Sequence, residues 1–277
     1  MDITVYNKDV TKGMEEIDTG SVDLIITSPP YWNLKDYKHP KQLGLNLTYK
    51  HYLVVLEKVL LECMRVIRHD AFICINVGDV REKAKESITQ RPRLYSIQAS
   101  IINYFLTMDF DLFQHFIWEK HSVKKDNLIH GSTCNGKYKD FAVPPFLYSD
   151  LNTEHILVFR KPGIRKRPTL EERQSSEHNL IKKITLQDWL HPVWKINSPR
   201  KGQHKGTFPK EIPHRLIKIF SLKGETVLDP FAGTGTTLVS AIENQRNAIG
   251  YELNSDFIQP FIDEYELTKR SYEFVKD

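Results

Sequence analysis

An α/β fold with a mostly parallel sheet is predicted by three features of the sequence. Val22 to Thr27 and Ala71 to Val77 are short, nearly continuous apolar runs, as expected of strands buried on both faces. Between them Leu53, Leu56, Val59, Leu60, Met64 and Ile67 recur at helical spacing. The same alternation of strand and helix returns near the end of the chain, after a stretch that follows neither period.

The first strand is Ile3 to Tyr6, stopped by Asn7-Lys8-Asp9, and a helix is expected from Thr11 to Ile17. After Val22 to Thr27 the prolines of Ser28-Pro29-Pro30 force a turn, because proline cannot continue a central strand. A long helix follows from Thr48 to Ile67, then the strand Ala71 to Val77 closed by Gly78-Asp79, then a helix from Leu94 to Leu106. Phe113 to Trp118 and His155 to Phe159 complete the first half as strands. From Lys161 to about Gln203 basic, Ser- and Pro-containing stretches surround one apolar segment, Ile184 to Trp194, which reads as an insert. Beyond it come a helix from Pro209 to Phe220, a strand from Thr226 to Leu228, a helix from Thr236 to Asn244 and a strand from Ala248 to Tyr251. The division expected is 1–160 and 204–277 as two halves of one core, with 161–203 inserted.

The 277 residues, 40% hydrophobic and 27% charged, suffice for one α/β core with a small module. No apolar run is long enough to span a bilayer, and Met1 to Val10 lacks a signal pattern. Three cysteines without paired spacing fit a reducing cytoplasm better than a disulfide framework. The net charge is only +4, but basic residues cluster in the middle third. The runs include Lys124, then Arg165, Lys166 and Arg167, then Arg200 and Lys201, and suggest a phosphate-binding face.

The string Asp229-Pro230-Phe231-Ala232-Gly233-Thr234-Gly235-Thr236-Thr237 lies between a strand and a helix. Gly233 and Gly235 allow close backbone approach to a ligand, and the helix start offers free N–H groups. Glu252 ends the next strand, where a carboxylate can accept from ribose hydroxyls. A P-loop would need a lysine that is absent, and the dinucleotide fingerprint a third glycine where Leu238 stands. A tight turn with no ligand is the plainer alternative for a lone Gly-x-Gly. The full string, however, resembles the cofactor loop of S-adenosylmethionine-dependent DNA amino-methyltransferases.

The resemblance extends to Thr27-Ser28-Pro29-Pro30-Tyr31-Trp32, the target-base motif of that family, and covers nearly the whole chain except Lys161 to Gln187. Gln42-Leu43-Gly44-Leu45, Ile117-Trp118-Glu119-Lys120, Glu154-His155-Ile156, Val193-Trp194 and Phe208-Pro209 also recur in the family in this order. Target-base motif first and cofactor loop last is the circularly permuted, beta-class order. The resemblance implies a Rossmann-like methyltransferase fold in which 161–203 reads the target sequence. Asp229, Phe231, Gly233, Gly235, Thr236, Thr237 and Glu252 would then bind S-adenosylmethionine, with Asp9 facing its adenine and Phe208 lining the pocket opposite. Members with Ser at the position of Ser28 mostly methylate cytosine N4, which makes cytosine the expected base and adenine N6 the alternative.

An exocyclic amine is a poor nucleophile because its lone pair is delocalised into the ring. Ser28 Oγ and the Pro29 carbonyl, accepting its two hydrogens, would favour a tetrahedral nitrogen able to attack a sulfonium methyl. Pro30 fixes the turn and Tyr31 offers a stacking surface for a flipped base. Trp32 and Lys35 beside this turn, with Lys124, Arg165, Lys166, Arg167, Arg200 and Lys201, are the expected contacts to double-stranded DNA. Asn33 to Asn46 is expected to be a lid ordering over DNA, and the helix from Thr48 to offer a homodimer surface. A cognate restriction endonuclease would complete a bacterial restriction–modification setting. Methylation at cytosine C5 is disfavoured, since Cys63, Cys74 and Cys134 follow Glu62, Ile73 and Thr133 where that chemistry has a proline. Zinc deamination lacks its His-x-Glu and Pro-Cys-x-x-Cys motifs, and the scattered histidines suggest no metal site.

Overall fold

The computed structural model describes residues 1–87, 89–120, 129–130, 147–149, 151–164, 168–198, 208–267 and 272–276. Its strands are β1 (Ile3–Asn7), β2 (Val22–Thr27), β3 (Ile67–Val77), β4 (Val80–Glu82), β5 (Arg93–Tyr95), β6 (Asp111–Lys120), β7 (Ile129–His130), β8 (Tyr148–Ser149), β9 (Thr153–Arg160), β10 (Val193–Ile196), β11 (Thr226–Asp229), β12 (Asn247–Tyr251) and β13 (Tyr272–Lys276). Its α-helices are α1 (Tyr49–Val66), α2 (Ile97–Thr107), α3 (Leu170–Gln174), α4 (Lys183–Trp189), α5 (Glu211–Phe220), α6 (Thr236–Glu243) and α7 (Ser255–Leu267).

Nine strands form one sheet in the order β10-β6-β9-β3-β2-β11-β12-β1-β13. Every pairing in it is parallel except those of β9 with β3 and β6. Alternate residues of β2 enter two different cores, Val22 and Ile25 one, Leu24 and Ile26 the other. That two-sided burial explains the unbroken apolar run. The first core is closed by α1 and α2, the second by α5, α6 and α7. Thr48 caps α1 by accepting from the His51 N–H, and Tyr52, Leu56, Val59, Leu60 and Cys63 form its buried stripe.

Some elements differ from the sequence expectation. Thr11 to Ile17 is not a helix: a single 3-10 turn at Val10–Lys12 ends at Gly13, whose φ is 108°. Met14 and Ile17 are buried nevertheless, so their spacing reflects packing of a turn, not helical period. Leu94 belongs to β5, which pairs with β4 in a hairpin ahead of α2. Val193–Ile196, placed in the insert from sequence, pairs in parallel with β6 as an edge strand of the main sheet. α7 and β13 extend the core beyond the last element expected.

Strand direction sorts the connections between two edges of the sheet. β6 runs to the carboxyl edge, where β2, β3 and β11 also end, and β9 runs back from it. Lys161, just after β9, donates to the carbonyls of Met64 and Ile67 at the amino edge. His178 and Leu180 are held at that edge too, their carbonyls accepting from Lys218 Nζ at 2.7 and 3.1 Å. The fully buried Arg246 donates to Ser221, Asn244 and His178 there. β10 then returns the chain toward the carboxyl edge, with Ile196 opposite Lys120.

Candidate active site

β2 and β11 are neighbours, with Leu24 beside Val227 and Ile25 beside Leu228. The chain leaves β2 for α1 on one face and leaves β11 for α6 on the other. This is a topological switch point, the place where open α/β sheets bind ligands. The Ser28-Pro29-Pro30-Tyr31 turn and the loop after Asp229 therefore meet at one point.

Asp229 fastens the two together. Its Oδ1 accepts from Thr27 Oγ1, 202 residues away, at 2.8 Å and from the Phe231 N–H at 3.0 Å. Its Oδ2 accepts from Thr237 Oγ1 at 2.6 Å. Burial pushes the carboxyl up to about 6 despite these donors. The folded state therefore binds more protons than the unfolded chain between about pH 4 and 6, and the carboxylate costs stability above that window. Two pH units correspond to on the order of 3 kcal/mol. Asp229→Asn preserves the Oδ1 acceptor, so its stability advantage at pH 7.5 should shrink as pH falls through 6 toward 4. Denaturant titrations of both proteins at several pH values check this, and parallel pH profiles would refute it.

A cleft of about 510 Å³ opens beside this loop, lined by Ser28, Pro30, Phe231 and Gly233, by Asp9 and Glu252, and by residues 35–39 and 41–43. Glu252 Oε2 accepts from the Gly233 N–H at 2.8 Å and Oε1 from the Asn254 N–H at 2.8 Å. Each oxygen keeps a lone pair for a ligand, and burial holds the carboxyl above its usual range. A Cβ at Gly233 would meet nothing closer than 4.0 Å and would fill open space in the cleft wall. Asp9 turns one oxygen to Thr11, accepting from its N–H and hydroxyl at 3.1 and 2.7 Å.

A second cavity of about 300 Å³ is lined by Tyr31, Gly78, Arg81, Lys120 and Glu154 among others. The Tyr31 hydroxyl is its hub. It lies 2.9 Å from Glu154 Oε2 and 3.0 Å from Ser28 Oγ, and accepts from Asn76 Nδ2 at 2.9 Å. Burial, reinforced by the Glu154 charge, pushes the phenol well above its usual range, so it keeps its proton. The carboxylate takes that proton's hydrogen bond, and Ser28 must then donate to Tyr31. Both lone pairs of Ser28 Oγ are left for an incoming N–H donor. Lys120 forms an ion pair with Glu154, and Asn76 Nδ2 also donates to it at 2.6 Å. Because Ser28 borders the first cavity and Tyr31 the second, their contact marks where the two adjoin.

Residues 22–263 match the family model of the N6/N4 DNA methylases. The type II methyltransferase M.MjaI of Methanocaldococcus jannaschii is 33% identical, the match covering 95% of this chain and 92% of its own length. The chain belongs to the N6/N4 DNA methylase family. TTHA0409 of Thermus thermophilus, a candidate DNA modification methylase solved with S-adenosyl-L-methionine, superposes with a TM-score of 0.75 at 29% identity. That match covers 99% of this chain and 98% of the other. The cytosine-N4-specific PvuII DNA methyltransferase shares the fold, with a TM-score of 0.62 at 17% identity over 99% and 95% of the two chains.

In this DNA methylase the residues expected from sequence are distributed unevenly. Ser28, Pro30, Asp9, Phe231, Gly233 and Glu252 line the first cleft, and Tyr31 the second. Pro29 is buried in the turn between them. Asp229 and Thr237 are buried behind the cleft, binding each other instead of lining it. Gly235 and Thr236 open α6, and Gly235 is packed against Phe261. Phe208 sits in the second core with Ile212 and Leu216, away from the cleft lining. Trp32, expected to face DNA, is 5% exposed: its Nε1–H donates to the Leu47 carbonyl at 2.7 Å and its ring packs on Tyr49 and Tyr95. Lys35 lines the first cleft with residues 36–39 and 41–43 of the Asn33 to Asn46 loop, which is tied to Asn254 through the Tyr37 carbonyl. Lys124, Arg165, Lys166, Arg167, Arg200 and Lys201 lie outside the described residues. Cys63 and Cys74 are buried, and burial raises both thiols, as suits core residues; Cys134 lies outside the described residues. No helix among the described residues is long and apolar enough to cross a membrane.

Asn76, Glu154 and Lys120 carry the second cavity's polar network without having been singled out for it. The signal available was that Lys120 and Glu154 each stand in a stretch recurring in the resembled family, Glu154 near the start of the apolar strand β9. Only the β6–β9 register, which sets Glu154 opposite Trp118 and near Lys120, gives it a meaning.

Proposed function

We propose that this DNA methylase transfers a methyl group from S-adenosylmethionine to the N4 amine of cytosine in duplex DNA. The observation that carries this reading is the place of Ser28 Oγ, 3.0 Å from the Tyr31 hydroxyl where the two cavities adjoin. The first cleft fits the cofactor in size, in its carboxylates Asp9 and Glu252, and in the open backbone approach at Gly233. When bound there, S-adenosylmethionine supplies an electrophilic methyl on its sulfonium. The second cavity takes the target base, out of the duplex. The Pro30 carbonyl already accepts from Tyr52 Oη at 2.8 Å and the Trp32 N–H at 3.1 Å. The Pro29 carbonyl is thus the second acceptor for the amine, beside Ser28. Drawing both hydrogens away concentrates the nitrogen lone pair toward the first cleft.

Serine at position 28 supports cytosine, through the likeness of this motif to N4-type members; adenine N6 is the second reading. Single-turnover methylation of mixed-sequence duplex DNA, with the product nucleoside identified by mass spectrometry, decides between them. N4-methylcytosine is expected, N6-methyladenine would reassign the base, and no methylated product would refute the transfer itself.

The duplex is taken at the carboxyl edge of the sheet. Of the segment 161–203, residues 161–164 and 176–180 are anchored at the opposite edge, so reading of the target sequence falls to the rest of that segment. A restriction–modification setting with a cognate endonuclease accords with the type II relatives. Val54 and Leu61, exposed on α1, support a homodimer, which sedimentation of the purified chain decides.

A further inference from the structure

The β4–β5 hairpin follows β3 directly and stands at the carboxyl edge, beside the second cavity. Arg81, on β4, lines that cavity with its guanidinium carbon 4.5 Å from the centre of the Tyr148 ring. Its Nε is buried, and no described residue accepts a hydrogen bond from it. A buried guanidinium N–H without an acceptor is costly, which points to an acceptor that arrives with the ligand.

The neighbouring charges indicate its chemistry. Lys120 is committed to Glu154. The Asp79 carboxylate accepts from the Ser96 hydroxyl at 3.2 Å and faces His155 at 3.9 Å. Lys83, exposed on the same wall, adds a second cation beside Arg81. Arg81 and Lys83 on one wall, with Glu154 already paired to Lys120, favour an anion there, and a planar guanidinium suits a phosphate.

We propose that Arg81, assisted by Lys83, binds the phosphodiester next to the flipped target nucleotide and so holds that nucleotide in the second cavity. This site rests on the proposed function, because a base occupying the cavity brings its phosphate to the rim. The Tyr148 ring fixes the plane of the guanidinium, and the phosphate supplies the acceptor that Nε lacks.

The test uses a duplex containing the site methylated by the wild-type protein, with S-adenosylhomocysteine present. Methylphosphonates, which remove a phosphate's charge, replace the phosphates around the target base one at a time. One position should weaken wild-type binding roughly tenfold, the loss of one charge-assisted contact. Arg81→Gln should weaken binding to the natural duplex by a similar factor and show no further loss at that position. Its slope of log affinity against log salt should be shallower by about 0.9. Arg81→Lys should recover the slope but only part of the affinity. The site is overturned if wild-type binding ignores every methylphosphonate beside the target base. It is equally overturned if Arg81→Gln keeps the wild-type methylphosphonate profile, as for a strut that only supports Tyr148, or keeps the salt slope while relaxing sequence preference, as for a base reader. Wild-type protein that neither binds nor methylates duplex DNA removes the reading beneath it and the phosphate site together.

Discussion

Tyr31→Phe should slow methyl transfer about 10- to 100-fold, although it keeps the aromatic ring, because the hydroxyl is what orients Ser28. A hydrogen bond to a charged partner contributes about 1.5–3 kcal/mol, and Tyr31 gives its hydrogen to Glu154 while accepting from Ser28 and Asn76. Without it the Ser28 hydroxyl loses its Tyr31 partner, and on the proposed mechanism its lone pairs would no longer be held toward the amine. Ser28→Ala removes the acceptor itself and should cost roughly 2–4 kcal/mol in the barrier. The two changes act on one device, so the double variant should be little slower than Ser28→Ala alone. Cofactor affinity should stay near wild type in all three, since Asp9, Gly233 and Glu252 are untouched. Single-turnover rates with calorimetric cofactor affinities measure both. A Tyr31→Phe enzyme at the wild-type rate would show that the ring alone matters. A fully additive double variant would separate Ser28 from Tyr31.

Gly235→Val should unfold or severely destabilise the chain, and not merely block the cofactor. Gly235 has a φ of 79°, and a Cβ there would stand 2.9 Å from Phe261 in the second core. A β-branched residue in left-handed backbone costs about 1–2 kcal/mol, and overpacking a core about 1–3 kcal/mol more. A large part of the stability of a typical domain is lost. Gly233→Ala is the contrasting change: its φ of 54° adds modest strain, but its Cβ points into open space that the cofactor would use. It should fold and bind S-adenosylmethionine weakly. Thermal melts beside calorimetry distinguish the two, and a Gly235→Val protein melting like wild type would show that the core yields there.

The likeness of the two loops made much of this candidate site legible in the sequence. The strand ends at Thr27 and Asp229 follow from short-range patterning, since apolar runs, prolines and glycines act on their immediate neighbours. Glu252 was legible in the same way, as an acidic residue at a strand's end. Trp32 misled because a tryptophan beside a polar loop suggests an exposed surface. Here its indole instead fills the first core and holds Leu47, which only the return path of that loop reveals. Phe208, expected from the likeness to line the pocket, packs in the second core beside Ile212 and Leu216.

What the sequence determined by itself was the α/β class, the buried strands and the two motif loops that follow Thr27 and Leu228. Each is written in contiguous residues. What only the tertiary structure decided was the pairing of β2 with β11 and the register of β6 with β9. The first brings Thr27 to Asp229. The second brings Glu154 to Lys120, beneath Tyr31. The direction of β9 and β10 likewise carried the chain to the edge away from the site at Lys161 and back toward the site's edge at Ile196. The physical reason is that hydrogen-bond register and strand direction are properties of pairs. No single stretch of chain encodes which distant partner will satisfy its backbone and bury its face.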